Sequence, residues 1–222
     1  MSGPVSGQQL LDAVAVMDRL RSPGGCPWDA EQTHSSLLRY LIEECYELVE
    51  AVELGDPAAI REELGDVLLQ VLFHARIAAE TQADDGGFTI DDVAADLVDK
   101  LVRRHPHVFG TEAAPVQTAA AQQERWDELK KTELGRSGVL DGVAFGQPSL
   151  ALAAKLGARA AKFAVSVDPP VGESPAEALF RIAYAAGARG EDPESALRAV
   201  AIAHAKALAA ADGAGSDDAL LT

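Results

Sequence analysis

A chain of 222 residues with 48% hydrophobic and 24% charged side chains is long enough for one or two buried cores and reads as neither a disordered tail nor a membrane protein. Its 19 Lys and Arg against 35 Asp and Glu leave a formal charge of −16, a field that repels nucleic-acid polymers and acidic membranes but still allows a local basic cluster to hold a small phosphate. Cys26 and Cys45 form no CxxC pair, the opening MSGPVSGQQ lacks the features of a signal peptide, and the apolar stretch Ala199 to Ala211 is only 13 residues long, so the sequence predicts a cytoplasmic protein without a membrane anchor.

Apolar residues recur at helical spacing along most of the chain, and aromatic residues make up 5%, which predicts an all-α fold. A first helix is expected over 7–20, with Leu10, Leu11, Val14 and Met17 on its inner face and Pro23-Gly24-Gly25 ending it. Cys26-Pro27-Trp28-Asp29 reads as a loop. Asp29 with Gln32 resembles a capping box that opens a long helix with the core stripe Leu37, Leu41, Cys45, Leu48 and Val52. Gly55-Asp56-Pro57 then stops one helix and starts the next, Asp56 as N-cap and Pro57 as first helical residue. That next helix is expected to run to about Glu80 on the face Ile60, Leu64, Val67, Leu68 and Val71. Asp84-Asp85-Gly86-Gly87 is a turn, Thr89 with Asp92 caps the following helix, and His105-Pro106 ends it. A polar helix over 119–134 carries Trp126. Beyond a Gly-rich stretch, an Ala-rich helix reaches about Ala164, and two short helices open at Ser174-Pro175 and Asp192-Pro193. These signals predict a domain over 7–135, a linker over 136–149, a helical region over 150–211 and a disordered tail over 212–222.

Two acidic sets stand out: Glu43-Glu44-Cys45-Tyr46-Glu47 and, after one short turn, Glu62-Glu63-Leu64-Gly65-Asp66. Residues three apart share a helix face, so Glu44 pairs with Glu47 and Glu63 with Asp66. A single EExxE reads as a solvated helix face. Two such sets, placed symmetrically about a tight turn and interleaved with core positions, instead converge on antiparallel neighbours and repel one another unless a cation intervenes. All-oxygen ligation favours the hard ions magnesium or manganese.

Lys100, Arg103 and Arg104 stand at i, i+3, i+4. Cations at a helix C-terminus complement the dipole. In so acidic a chain a compact basic triad also offers a seat for phosphates, and triad and metal together suggest a polyphosphate substrate. Glu31-Gln32-Thr33-His34 supplies one ExxH where a di-iron bundle needs two. Absence of GxxxxGK[ST], GxGxxG and GxSxG disfavours a P-loop ATPase, a dinucleotide site and an α/β-hydrolase. Trp28 and Trp126 suit either stacking on a base or burial.

The order Gly25-Cys26-Pro27-Trp28-Asp29, Gln32-Thr33-His34, Glu43-Glu44-x-x-Glu47, Glu63-Leu64-Gly65-Asp66, Lys100-x-x-Arg103-Arg104-His105-Pro106-His107-Val108-Phe109 and Arg125-Trp126 resembles the MazG family of nucleoside triphosphate pyrophosphohydrolases, over about residues 10 to 135. The resemblance implies an all-α NTP pyrophosphatase fold, dependence on Mg2+ with Mn2+ as substitute, a homodimer, and cleavage of a nucleoside triphosphate to the monophosphate and pyrophosphate. By position it implies Glu44, Glu47, Glu63 and Asp66 as metal ligands, Glu43 and Glu62 as supporting acids, and Lys100, Arg103 and Arg104 as triphosphate contacts. Trp28, His34 and Trp126 complete the candidate substrate-binding set.

In such a site a carboxylate not fully engaged in coordination, Glu43 or Glu47, is expected to accept a proton from the attacking water, with Glu62 beside them. The basic triad is expected to stabilise the departing pyrophosphate. The region from Leu140 onward looks like the link into a second, degenerate copy of the module, because no second EExxE helix follows. A non-catalytic helical regulator that binds nucleotides or a protein is the competing reading, and the intact acid and base set speaks against it.

Overall fold

The computed structural model describes residues 7–110, 118, 122 and 138–212. The predicted helix over 119–134 with Trp126, the 135/136 boundary and the tail beyond Asp212 lie outside or almost wholly outside these residues. The chain divides into two compact units, Met1–Val116 and Gln117–Thr222. Among the described residues the regular structure is helical, with no strand, as the periodicity predicts.

In the first unit α1 spans Gln8–Arg21 and α2 Pro27–Glu31, followed by the long pair α3, His34–Leu54, and α4, Pro57–Ala78. A single 3-10 turn, Ala83–Asp85, leads to α5, Ile90–Arg104, and the one-turn α6, Pro106–Phe109. Pro27 nucleates α2 where a loop is predicted, because its fixed φ suits the first helical position. Asp29 therefore lies inside α2, and the predicted capping box of Asp29 and Gln32 gives way to Thr33 and Ser36. The Thr33 Oγ1 accepts the Ser36 N–H at 3.1 Å and the Ser36 Oγ accepts the Thr33 N–H at 2.9 Å. Gln32 becomes a brace, its Nε2 donating to the Trp28 carbonyl at 2.9 Å.

The turn between α3 and α4 forms as predicted. Gly55 takes the left-handed conformation at φ 72°, which a glycine adopts without strain. The Asp56 Oδ1 accepts the Ala58 N–H at 2.8 Å, and Pro57 fills the first helical position. Thr89 and Asp92 likewise close the predicted capping box of α5, Thr89 N–H donating to the Asp92 Oδ2 at 2.8 Å.

The core is Met17 of α1, Leu37 of α3, and Leu72 and Phe73 of α4, with Ala13, Val14, Tyr40, Ile77 and Ile90 packed against it. Burying each large side chain contributes about 1.5–3 kcal/mol. This core ties the start of α3 to the end of α4, so the hairpin extends from it toward Gly55. The predicted stripes hold in part: Met17 and Leu37 are buried and Val14, Leu41, Leu48, Ile60 and Val67 half-buried, while their other members face outward. Leu10 and Leu11 of α1, Cys45 and Val52 of α3, and Leu64, Leu68 and Val71 of α4 are exposed. The inner faces keep Leu37, Leu41, Leu48 and Ile60 and add Glu44 and Ala51 on α3 and Glu63, Asp66, Gln70 and His74 on α4. Both sides of these helices carry apolar residues, so the period identifies a helix without choosing its inward face.

In the second unit α7 spans Ser149–Phe163, α8 Pro175–Ala188 and α9 Pro193–Ala211. The predicted starts hold: the Ser174 Oγ accepts the Glu177 N–H at 3.3 Å and the Asp192 Oδ1 accepts the Glu194 N–H at 3.0 Å. The last helix, at 19 residues, is not short. The expected pattern Ala178, Leu179, Ile182 and Ala185 again misplaces the buried face, since Leu179, Ile182 and Ala185 are exposed while Ala183, Ala186 and Gly187 are buried. Small residues win because α7 and α8 meet backbone to backbone. A Cβ at Gly187 would stand 1.9 Å from the Ala154 carbonyl oxygen, and one at Gly157 would stand 2.0 Å from that of Tyr184. No described helix is long and apolar enough to cross a membrane.

Candidate metal centre

The inward turn of the acidic stripes brings carboxylates of α3 and α4 together. One oxygen each from Glu44, Glu63 and Asp66 lies within 4.8 Å of the others, and all three side chains are half-buried. Glu44 reaches this point because α3 runs antiparallel to α4 from the Gly55 turn, so its inner stripe meets that of α4 at matching distance.

Electrostatics records the crowding. The Glu44 carboxyl is pushed up to about 7, first by burial, then by the charge of Asp66, a hydrogen bond with Glu47, and the charges of Glu47 and Glu63. Glu63 is raised by burial and by Glu47, Asp66 and Glu62. Every charged group pressing on these two carboxyls is another acid. Three or four oxygens with unrelieved negative charge form the donor set that a hard divalent cation requires.

The predicted residues fall into three places. Glu44, Glu63 and Asp66 converge. Glu47 sits beside them, exposed but bonded to Glu44, and Glu43 and Glu62 are exposed on the outer flanks of the same turns. Lys100 and Arg103 are exposed on α5 and Arg104 is half-buried there; the charges acting on Glu44 and Glu63 do not come from that helix. Trp28 and His34 lie toward the core end of the α3–α4 pair. The Trp28 ring meets Tyr40 edge-on at 6.0 Å and Phe73 at 6.4 Å, and it keeps half its surface exposed.

His34 is paired with a residue that motif reading passes over. Its ring stacks on His74 with centroids 5.0 Å apart, and the two Nδ1 atoms share a hydrogen bond of 2.7 Å. One helical turn before His74 lies Gln70, only 4% exposed. The signal is in the sequence: Gln70 and His74 are the polar residues of the run Val67 to Ala75, and they continue the spacing of Glu63 and Asp66.

Residues 32–109 match the family model described as the MazG nucleotide pyrophosphohydrolase domain. The chain is 52% identical over 209 residues to an uncharacterized 26.1 kDa protein of Streptomyces cacaoi, covering 93% of this chain and 84% of that one. It is 53% identical over 156 residues to the nucleoside triphosphate pyrophosphohydrolase of Mycobacterium tuberculosis, covering 70% of this chain and 46% of that one. The chain thus spans about half the length of that relative. The crystal structure of a mazG-related protein from Thermotoga maritima aligns with 56% of this chain and 98% of its own, at 30% identity and a TM-score of 0.43.

Proposed function

The chain belongs to the MazG nucleotide pyrophosphohydrolase family, and from that premise we propose that it is a magnesium-dependent cytoplasmic enzyme that hydrolyses nucleoside triphosphates to the monophosphate and pyrophosphate. Its role on this reading is to cleanse the nucleotide pool or to control stress nucleotides.

The observation that carries the proposal is the meeting of Glu44, Glu63 and Asp66 within 4.8 Å, with Glu44 raised to about 7 for want of a counter-charge. Oxygen-only donors fit Mg2+ and, as a substitute, Mn2+. Glu44, Glu63 and Asp66 would hold the cation, with Glu47 as a fourth ligand. Such an ion, when bound, supplies Lewis-acid polarisation of the phosphates and activation of water. The chain's own residues do the rest. Glu47 or Glu43, at the edge of the cluster and open to solvent, takes the proton of the attacking water, and Glu62 keeps that flank acidic. Lys100, Arg103 and Arg104, one turn of α5, bind the β and γ phosphates and offset the charge that grows on pyrophosphate as the α–β bond breaks.

A homodimer accords with the same architecture. Ile42, Val49, Leu64 and Leu68 on the α3–α4 pair, and Leu97, Val98 and Leu101 on α5, are exposed, and α5 has no buried residue. A second copy burying these faces completes a bundle. The region over 150–211 reads as an inert remnant of a second module: no group of three His, Cys, Asp or Glu comparable to the acidic cluster is found among its described residues.

The test is incubation with magnesium and a panel of common and damaged nucleoside triphosphates, with separate assays for pyrophosphate and orthophosphate. Pyrophosphate with monophosphate is the expected result. Orthophosphate alone, or no product from any triphosphate, overturns the assignment and leaves the non-catalytic regulator.

A further inference from the structure

On α4 the inward stripe does not end with the acids. Glu63 and Asp66 are followed at helical spacing by Gln70 and His74, all on the side that meets α3: the acids face Glu44, and His74 faces His34. The Gln70 Oε1 and the His74 Nε2 are both buried and without a hydrogen-bond partner. Native folds rarely leave such atoms unpaired, because a buried polar group without a partner is destabilising. Two orphans one turn apart on the same face, in line with the carboxylate cluster, mark a place prepared for something else.

We propose that Gln70 and His74 form the station that reads the nucleoside end of the substrate, taking hydrogen bonds from its neutral polar edge while the triphosphate lies at the carboxylate cluster. The assignment rests on the pyrophosphohydrolase reading above and deepens it. Eight residues separate Asp66 from His74, about 12 Å of helix, which is the reach of a nucleoside extended from its α-phosphate. The chemistry also changes along the facing sides of α3 and α4. At Glu44, Glu63 and Asp66 it is anionic and suits a cation with phosphate. At Gln70 and His74 it is neutral: burial, with the adjoining His34, holds the His74 imidazole below its usual range.

The station is fixed in place from one side. The His34–His74 bond of 2.7 Å uses the Nδ1 atoms, so the orphan Nε2 is donor or acceptor according to which ring gives the shared proton. The Gln70 carbonyl oxygen adds an acceptor beside it. Trp28, half-exposed and braced edge-on by Phe73, offers an aromatic surface at the same end. A sugar hydroxyl or an exocyclic group of the base satisfies this pair, and the experiment separates the two.

The test uses the full chain with magnesium and eight substrates, the four common bases each as ribonucleotide and deoxyribonucleotide, measured as kcat/KM for pyrophosphate release. Gln70→Met is the principal variant, because it fills the same volume and removes the orphan carbonyl; His74→Phe is the second. The expected result is that the ratio between best and worst base, or between ribo and deoxy forms, falls about tenfold or more in Gln70→Met. Its thermal midpoint is expected to stay the same or rise. Loss of the base ratio assigns the station to the base, and loss of the ribo-to-deoxy ratio assigns it to the sugar. Wild-type ratios in a folded Gln70→Met, with or without a higher midpoint, overturn the inference alone and leave the pyrophosphohydrolase reading intact. Should Gln70→Met fail to fold, the same ratios in His74→Phe decide. A wild-type chain that releases pyrophosphate from none of the eight overturns both.

Discussion

Arg21 and Glu80, 59 residues apart in the chain, form a two-pronged pair in which Nε donates to Oε1 at 2.9 Å and Nη2 to Oε2 at 3.0 Å. The Arg21 side chain is 3% exposed and Glu80 41%. The same guanidinium donates from Nη1 to the carbonyls of Asp29 and Gln32 and lies over the Phe73 ring at 5.5 Å. One cation thus ties the end of α1 and the α2–α3 junction to the end of α4.

Glu80→Gln should destabilise the fold by about 1 kcal/mol, since it weakens a charge-assisted pair whose acid is partly solvated. The Arg21 hydrogen bond holds the Glu80 carboxyl below its ordinary value of 4.5. Its contribution is therefore complete above pH 4.5 and disappears as pH falls through the lower folded value. Thermal melts from pH 7 to 3 should show a shallower acid limb in Glu80→Gln; an identical limb in both proteins would remove this pair from the account of acid stability.

The acidic cluster carries the opposite sign. The Glu44 carboxyl, at about 7 in the fold against an ordinary 4.5, binds a proton in the folded state that the unfolded chain has already released between those values. Without a divalent cation, this group's contribution should be free of penalty below pH 4.5, become increasingly unfavourable as pH rises to about 7, and level off above it. Glu44→Gln should flatten the part of the pH profile due to this group. Magnesium at pH 8 should raise the wild-type melting temperature more than that of the variant. Equal magnesium shifts would count against Glu44 as a ligand.

Glu44→Gln and Asp66→Asn should each lower magnesium-dependent turnover by at least a hundredfold while circular dichroism keeps the helical signal, because each removes a ligand charge. Wild-type turnover in either would undo the ligand set. Lys100→Ala should instead raise KM or lower kcat/KM about tenfold. Unchanged kinetics would return Lys100 to complementing the end of the α5 dipole.

How much of this was legible in the sequence depends on what kind of signal a residue leaves. Thr89 and Asp56 declare their helix starts through side-chain chemistry, and both caps form as read. Asp29 misled because Pro27, two residues earlier, had already begun a helix of its own. The carboxylate set was legible from spacing, since Glu44, Glu63 and Asp66 must share a groove once Gly55 reverses the chain. The inward faces were legible only in part: Leu37, Leu41 and Leu48 turn inward as read, but Leu64 and Leu68 are as apolar as any core residue and are exposed all the same. Gln70 and His74 left a spacing but no motif, and only the buried, unpartnered Gln70 Oε1 and His74 Nε2 distinguish them.

The exposed faces predict association. Light scattering on the full chain should give a dimer mass whose dissociation depends on concentration. Val98→Glu with Leu101→Glu, both at exposed positions of α5, should shift it toward the monomer. A monomer at every concentration would leave those faces to another partner.

In the second unit Gly187→Ala should cost about 1–3 kcal/mol or more, since its Cβ would press on the Ala154 carbonyl at 1.9 Å. If the region over 150–211 is catalytically inert, pyrophosphate release at low temperature should remain within about twofold of wild type while the thermal transition of that unit moves down. Abolished turnover in a folded Gly187→Ala protein would place catalytic machinery there.

The turn at Gly55 serves as a ruler. Glu44 precedes Gly55 by 11 residues and Asp66 follows it by 11, and each residue advances a helix by about 100°. Inserting one alanine between Glu44 and Gly55 leaves composition, charge and helix propensity almost untouched, yet it swings Glu44 away from Asp66 by more than a quarter turn. Substitution on the exposed flanks of this hairpin is open to drift, whereas a change in its length is not, so among related chains insertions should gather at Asp84 to Gly87 and be missing from the span between Glu44 and Asp66.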